Sequence, residues 1–579
     1  MNIKLLFLTL LMAAGVKAQS PPFVELTDTK PRSGAEEWEA KVKTPLAAWG
    51  STDVRYPKYD IPENISKKWK VKAWRGERVN GQAVLYTPKD LKNVSIASTP
   101  LKNGNLEIAL SAIELSFVRY VMTDEVNKDG SGGCGDRSDK VEWDSSIVAD
   151  LLDASKSMPV EANSVRPIWI NVWVPEGTVP GVYKAKLVIE GEGMKTIQLP
   201  YEITVTSRIL PAPEDWTYHL DLWQNPYSVA RFYNVPLWSE EHFDYMRPIM
   251  TRYANAGGKV ITASVIDRPW NGQTEDAFSS MVSKVKLIDG TWRYDYTVFD
   301  RWVEFMMSCG VKEQIDCYTV VPWALRFDYY DQATNSVKVV NANPGEDEYE
   351  NYWIPFLKDF ASHLRTKGWL SRTAIAMDER PKDAMAAAEK VIFTACPELK
   401  IAGAIHYYPE VEPKIYDLCL GYGETVPQNV LERRRKEGKK TTVYTCCSEA
   451  YPNTFTFSAP AEAVWIPLHS AAIGVDGYLR WAYNSWTKNP LQDSRFRTWA
   501  AGDCYMVYPN SSSVRFERLI EGIQYVEKIK ILRKEFAKNN DTGKLKLLDE
   551  AVSKFVPMNL KGDNATQMVN EFKYVFDKL

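Results

Sequence analysis

The sequence predicts a multidomain protein: an N-terminal antiparallel β-sandwich, then a (β/α)8 TIM-type barrel, then a helical C-terminal tail. Three observations predict this. Up to residue 208, apolar and polar residues alternate between glycine- and proline-bearing turns, the period-2 signature of half-buried antiparallel strands. Beyond the connection 209–215, ILPAPED, short apolar runs alternate with longer amphipathic ones, as strands and crossover helices do in a barrel. From residue 513 apolar residues recur at helical spacing.

The elements follow in order. Residues 1–18, MNIKLLFLTLLMAAGVKA, have a basic start at Lys4, an apolar stretch too short to span a bilayer, and small residues before Gln19. They read as a secretory signal peptide, which predicts an exported chain, periplasmic or extracellular. The sandwich is assigned to 22–208, with its clearest alternation over 167–206. Within it, residues 127–136, NKDGSGGCGD, form a turn-rich loop. Glu125, Asn127 and Asp129 faintly resemble a calcium loop, but Asp136 stands where a bidentate Glu is required, so a plain loop is the better reading.

The barrel is assigned to 216–512, with strands at 217–223, 259–265, 314–320, 373–377, 400–405, 415–420, 441–446 and 477–481. Helical patterns lie between them at 239–256, 299–308, 350–367, 382–395, 427–437 and 459–473. The tail, 513–579, opens with the last barrel helix. No glycine-rich dinucleotide fingerprint follows an early strand, which disfavours a doubly wound sheet. The basic run 433–440 is interrupted by Glu437-Gly438 and reads as a solvated helix end.

Composition narrows the function. The 71 basic and 74 acidic residues give a net charge of -3, which argues against nucleic acid as a partner. No run is apolar for long enough to predict a membrane span. The eight cysteines are too few for a disulfide framework at this length; adjacent Cys446 and Cys447 are poorly placed to bridge each other, and one or two disulfides remain open. With five histidines, no HExxH and no paired CxxC, neither a metal nor a cofactor is predicted. No strand–helix elbow surrounds Gly130-Ser131-Gly132, so a Ser-His-Asp hydrolase is not supported.

In a barrel of this type the chemistry sits at the C-terminal ends of the strands. The fourth strand ends in Met377-Asp378-Glu379-Arg380-Pro381, delivering two adjacent carboxylates. Glycoside cleavage needs one acid to protonate the leaving oxygen and a second group to stabilise positive charge at the sugar carbon. Environment can assign those roles to neighbouring carboxylates. A salt bridge from Asp378 or Glu379 to Arg380 is the alternative reading. Other strand ends carry groups suited to a sugar: Asp221 and Trp223 after the first, Trp323 after the third, His406 after the fifth, Tyr444 in the seventh, and Trp481 and Asn484 after the eighth. Trp465 opens the preceding helical run. Several indoles at one rim point to a carbohydrate cleft.

The segment Met377–Pro381, the turns Val174-Pro175-Glu176-Gly177 and Pro180-Gly181-Val182-Tyr183, and Trp481-Ala482-Tyr483-Asn484 together resemble glycoside hydrolase family 123, over most of the mature chain. That family comprises β-N-acetylgalactosaminidases with an N-terminal β-sandwich and a (β/α)8 catalytic domain. The resemblance implies a retaining, substrate-assisted reaction on a terminal N-acetylhexosamine. In it the 2-acetamido oxygen attacks the anomeric carbon, Glu379 acts as acid and then base, and Asp378 holds the acetamido N–H. Strand-end position, rather than the resemblance, suggests that Tyr444 or His406 would bond the acetamido carbonyl, Trp465 and Trp481 would wall its pocket, and Asp221 or Asn484 would hold ring hydroxyls. Two alternatives stand beside this reading. One is a two-carboxylate retaining glycosidase with Glu449 as nucleophile; the other is a non-catalytic carbohydrate-binding protein.

Overall fold

The computed structural model describes residues 23–29, 34–124, 134, 145–497, 499–562 and 564–579. Residues 1–18, read above as a signal peptide, and all of the turn-rich loop except Cys134 lie outside the described residues.

Two sheets form the N-terminal sandwich. One has five strands, in the order Leu46–Gly50, Arg78–Thr87, Ser164–Trp173, Ile113–Thr123 and Ser146–Asp153. The other runs Trp69–Arg75, Ile197–Ile209, Gly181–Glu192, Leu91–Ser98 and Ser157–Val160, with two short strands beside it. Gly181–Glu192 displays the period-2 rule: Tyr183, Ala185, Leu187 and Ile189 are buried, while Lys184 and Lys186 are exposed. Val79, Ala83 and Leu85 meet those apolar residues between the sheets. One pairing departs from the antiparallel expectation, since Trp69–Arg75 runs parallel to Ile197–Ile209. Side-chain alternation is the same in both orientations, so the pattern could not separate them.

The second domain is a parallel eight-stranded sheet curled into a nearly closed barrel. We number its strands β1 (His219–Leu222), β2 (Val260–Ser264), β3 (Gln314–Tyr318), β4 (Thr373–Met377), β5 (Lys400–Ala404), β6 (Asp417–Gly421), β7 (Lys440–Tyr444) and β8 (Gly477–Arg480). β1 pairs with β8 along its length but meets the β2 side through a single bridge, Leu220 to Gly258. The loops after β2 and β3 each carry a hairpin, and the two join in a four-stranded sheet of Ser283–Lys286, Trp292–Asp295, Arg326–Asp331 and Ser336–Asn341. These strands are short and mostly half-exposed, so they lack the apolar alternation that marks a strand in sequence.

The tail opens with a 25-residue helix, Val514–Lys538, capped by the Ser513 side chain. It packs against the helix Pro460–Ile473. A Cβ on Gly522 would lie 2.9 Å from Val464 O, so glycine permits this close approach. The basic run departs from the solvated reading at one residue. Arg434 is fully buried, and its guanidinium bonds Glu412, Thr441 and the carbonyls of Ile415 and Tyr416.

The long helix also ties the barrel to the sandwich. Asp150, fully buried on Ser146–Asp153, accepts from Arg515 Nε at 2.9 Å, Arg55 Nη1 at 3.0 Å and the Tyr508 hydroxyl at 2.7 Å. Burial alone would raise its pKa, but the two guanidiniums outweigh burial and hold it below the usual carboxylate range. Gln524 bonds both the N–H and the carbonyl of Arg78, each at 2.8 Å. Removing one partner from such a network leaves buried charge uncompensated. Asp150→Ala should therefore lower unfolding stability by about 3–5 kcal/mol, read from urea midpoints against wild type.

Candidate active site

Strand parity builds the site. Along β4, Ile375 and Met377 pack outward into the main core, while Ala374 and Ala376 face the barrel interior with Ala402, Ala404 and Cys419 of β5 and β6. These small residues leave room for the rings of Trp223, Trp270 and Tyr318. Asp378, two positions beyond Ala376, continues the inward row at the barrel mouth. Pro381 then ends the extended segment and occupies the position just before the helix Lys382–Ala395.

Asp378 and Glu379 line one cavity of about 320 Å³. Its wall includes the indoles of Trp223, Trp270, Trp323, Trp481 and Trp499, together with Tyr444 and Asp503. Trp223 and Trp270 stack at 4.8 Å between centroids, and Trp481 meets Trp499 edge-on at 5.8 Å.

The two carboxylates occupy different environments. Asp378 is 8 % exposed; its Oδ2 accepts from Trp323 Nε1 at 2.6 Å and its Oδ1 lies 3.4 Å from Arg380 Nε. The Arg380 guanidinium in turn lies 4.1 Å above the Trp323 ring. Burial lifts the Asp378 pKa from 3.8 to about 6, against the opposing pull of Arg380 and the Trp323 bond. That shift is roughly 3 kcal/mol between its two protonation states. Glu379 is exposed, and its Oε1 accepts from the Tyr444 hydroxyl. Burial, reinforced by Glu379, raises the Tyr444 pKa far enough that the phenol keeps its proton and remains a donor.

The remaining sequence-predicted residues divide. Trp223, Tyr444 and Trp481 line the cavity with the acid pair. Asp221 lies one layer deeper on the same inward row and accepts from Trp223 Nε1 at 3.2 Å, so the indole stands between it and the cavity. Burial and the nearby Asp417 charge raise its pKa, while Asp417 itself pairs with His219 Nε2 at 2.8 Å. His406 is not in the wall; it is exposed and bonds Glu424. Asn484 is fully buried and bridges the Asn225 backbone and Ser228, which fixes the start of the helix Pro226–Tyr233. Trp465 belongs to the core, stacked on His469 at 5.0 Å. Glu449 is also absent from the wall. Its Oε2 accepts from Cys446 N and its Oε1 from Ser448 Oγ, each at 2.7 Å, so both oxygens are engaged within its own loop.

Strand-end position predicts none of Trp270, Gln273, Trp499, Asp503 or Cys134, which also line the cavity. Loops and the sandwich supply them, and loop reach has no periodicity to read. Asp503 is fully buried; its Oδ1 holds Arg480 and its Oδ2 accepts from Trp481 Nε1 at 3.3 Å. The disulfide expectation resolves into one bridge, Cys134–Cys447, which joins residues 313 apart and pins the sandwich to the cavity rim.

Residues 223–532 match the family model described as glycoside hydrolase 123, catalytic domain. The chain belongs to glycoside hydrolase family 123. Residues 49–191 match that family's N-terminal domain. Among solved structures, a family 123 glycoside hydrolase from Clostridium perfringens, described in connection with glycolipid glycan hydrolysis, superposes with a TM-score of 0.83. It is 27 % identical, over 93 % of this chain and 97 % of that one. A Bacteroides ovatus GH5 xyloglucanase gives a TM-score of 0.27 at 9 % identity, over 79 % of this chain and 98 % of that one. No curated protein sequence matches the chain. Among the described residues, no helix is long and apolar enough to cross a membrane.

Two substitutions separate wall from core in this family 123 hydrolase. Tyr444→Phe removes the hydroxyl that bonds Glu379 Oε1, and a hydrogen bond to an ionised group is worth about 1.5–3 kcal/mol. It should lower kcat about ten- to hundredfold with little change in KM, measured by steady-state kinetics. Trp465→Phe should lower Tm and leave kcat/KM unchanged.

Proposed function

We propose that this family 123 hydrolase is an exported β-N-acetylhexosaminidase, preferring the galacto epimer, that retains anomeric configuration through substrate assistance. One observation supports the mechanism: among the described residues, the carboxylates that line the cavity are Asp378, Glu379 and Asp503, and the first two are adjacent at one strand end. Asp503 is bound to Arg480 and Trp481, and Glu449 stands outside the wall. Among the described residues, no carboxylate beyond the adjacent pair is therefore open to attack the sugar directly, and a 2-acetamido oxygen carried by the substrate fills that role.

In the reaction, Glu379 protonates the glycosidic oxygen as the acetamido carbonyl oxygen closes on the anomeric carbon. The aglycone departs and an oxazolinium ion remains. Ionised Asp378 accepts the acetamido N–H and balances the positive charge. Glu379, now a carboxylate held by Tyr444, takes a proton from water, which opens the ring at the anomeric carbon with net retention. The indole faces hold the apolar side of the sugar and exclude water. A cavity at the lower end of the usual range of about 300–1,000 Å³ suits a single sugar residue. The galacto preference rests on the family resemblance, and export rests on the leader at residues 1–18.

Turnover of aryl N-acetyl-β-D-galactosaminide and its gluco epimer tests this reading. Glu379→Gln and Asp378→Asn should each lose about 10²–10⁴-fold in kcat. Aryl glycosides lacking the 2-acetamido group should be hydrolysed far more slowly than those bearing it; equal rates would refute substrate assistance. The pH profile has a defined sign. Asp378 must be ionised, and its raised pKa of about 6 means that protonation removes the active form as pH falls. kcat/KM should therefore rise with pH through about 6, and Asp378→Asn should abolish that acid limb.

A further inference from the structure

Three sulfurs converge in the cavity wall, and the proposed hydrolysis uses none of them. The Sγ atoms of Cys134, Cys446 and Cys447 all lie within 4.8 Å of one another. Two form the bridge between sandwich and barrel, and Cys446 is a free thiol beside it. A covalent tie needs only two cysteines, so the third is surplus to it. The other five free cysteines, Cys309, Cys317, Cys396, Cys419 and Cys504, are buried in the fold, whereas Cys446 is half-exposed and lines the cavity.

We propose that Cys134, Cys446 and Cys447 form a redox-conditional site for a thiophilic divalent cation such as Zn2+ or Cd2+, present only when the disulfide is reduced. Zinc–thiolate bonds are about 2.3 Å, so two sulfurs on a tetrahedral ion lie about 3.8 Å apart. Sulfurs already within 4.8 Å reach that spacing by small side-chain movements once the S–S bond is open. The cavity leaves the fourth position to solvent.

The chemistry balances in two steps. A phosphine reductant with water supplies two electrons and two protons; the S–S bond breaks, two thiols form, and the phosphine becomes its oxide. The cation then displaces one proton from each of three thiols, giving a tris-thiolate complex and three protons. Each thiol must lose its proton to bind the ion. Uptake should therefore strengthen as pH rises.

The test uses the full chain. Protein is reduced with a phosphine, freed of reductant under anaerobic conditions, confirmed folded by circular dichroism, and titrated with Cd2+ while the ultraviolet thiolate-to-cadmium charge-transfer band is followed. One Cd2+ should bind per reduced chain and none per unreduced chain. Cys446→Ser should weaken binding by more than about tenfold, since even outer-shell changes at metal sites cost that much. Should that variant not fold, alkylation of reduced wild type decides: bound Cd2+ should protect Cys134, Cys446 and Cys447 from iodoacetamide, read by peptide mass spectrometry. Absence of the band in folded reduced protein, an unchanged affinity in Cys446→Ser, or equal labelling with and without Cd2+ would each overturn the proposal.

Discussion

The two-residue period of the barrel strands is the constraint on which the site depends. Side chains alternate between the helix layer and the barrel interior, so a residue's distance from the strand end decides whether it reaches the mouth. On β4 this places Ala374, Ala376 and Asp378 in one inward row. On β1 it places Asp221 beneath Trp223, and on β7 it brings Tyr444 and Cys446 to the same wall. The alanines matter as much as the acids. Larger side chains at Ala374, Ala376, Ala402 and Ala404 would occupy the space of the stacked indoles, and the cavity would lose its floor.

The same geometry divides two chemically similar neighbours. Asp378 turns inward against Trp323 and Arg380 and is nearly dry, whereas Glu379 stays at the rim on the Tyr444 hydroxyl. Arg380 limits the effect of burial on Asp378, and without its charge the carboxyl would rise further above its present value. The salt-bridge reading holds for Asp378, where Arg380 offsets the burial of the acid rather than neutralising a solvated one.

The sandwich is part of the enzyme's architecture rather than an appendage to it. Asp150 draws the Arg515 guanidinium and the Tyr508 phenol from across the domain boundary and the Arg55 guanidinium from its own side, and the Cys134–Cys447 bridge carries the sandwich to the cavity rim. Buried ion networks of this kind fix relative placement, because few arrangements satisfy every charge at once. A wall assembled from two domains depends on such placement.

Much of this was legible in the sequence because it rests on short-range periodicity. The alternation over 167–206 and the strand-then-helix rhythm after residue 216 are set by local burial, so the sandwich, all eight barrel strands and the long helix that opens the tail follow from pattern alone. The acid pair was legible for the same reason: it ends a run of small apolar residues before a proline. Whether a polar or aromatic residue reaches the cavity was not legible, because that depends on which neighbour covers it. Trp465 and Asn484 have suitable chemistry but are enclosed by His469 and by the Asn225 backbone. Trp270, Trp499, Asp503 and Cys134 arrive on loops whose reach only the folded chain decides. Sequence thus determined the layers and the end of the strand that bears the acids, while tertiary packing decided which side chains meet there, because contact between distant segments has no period to read.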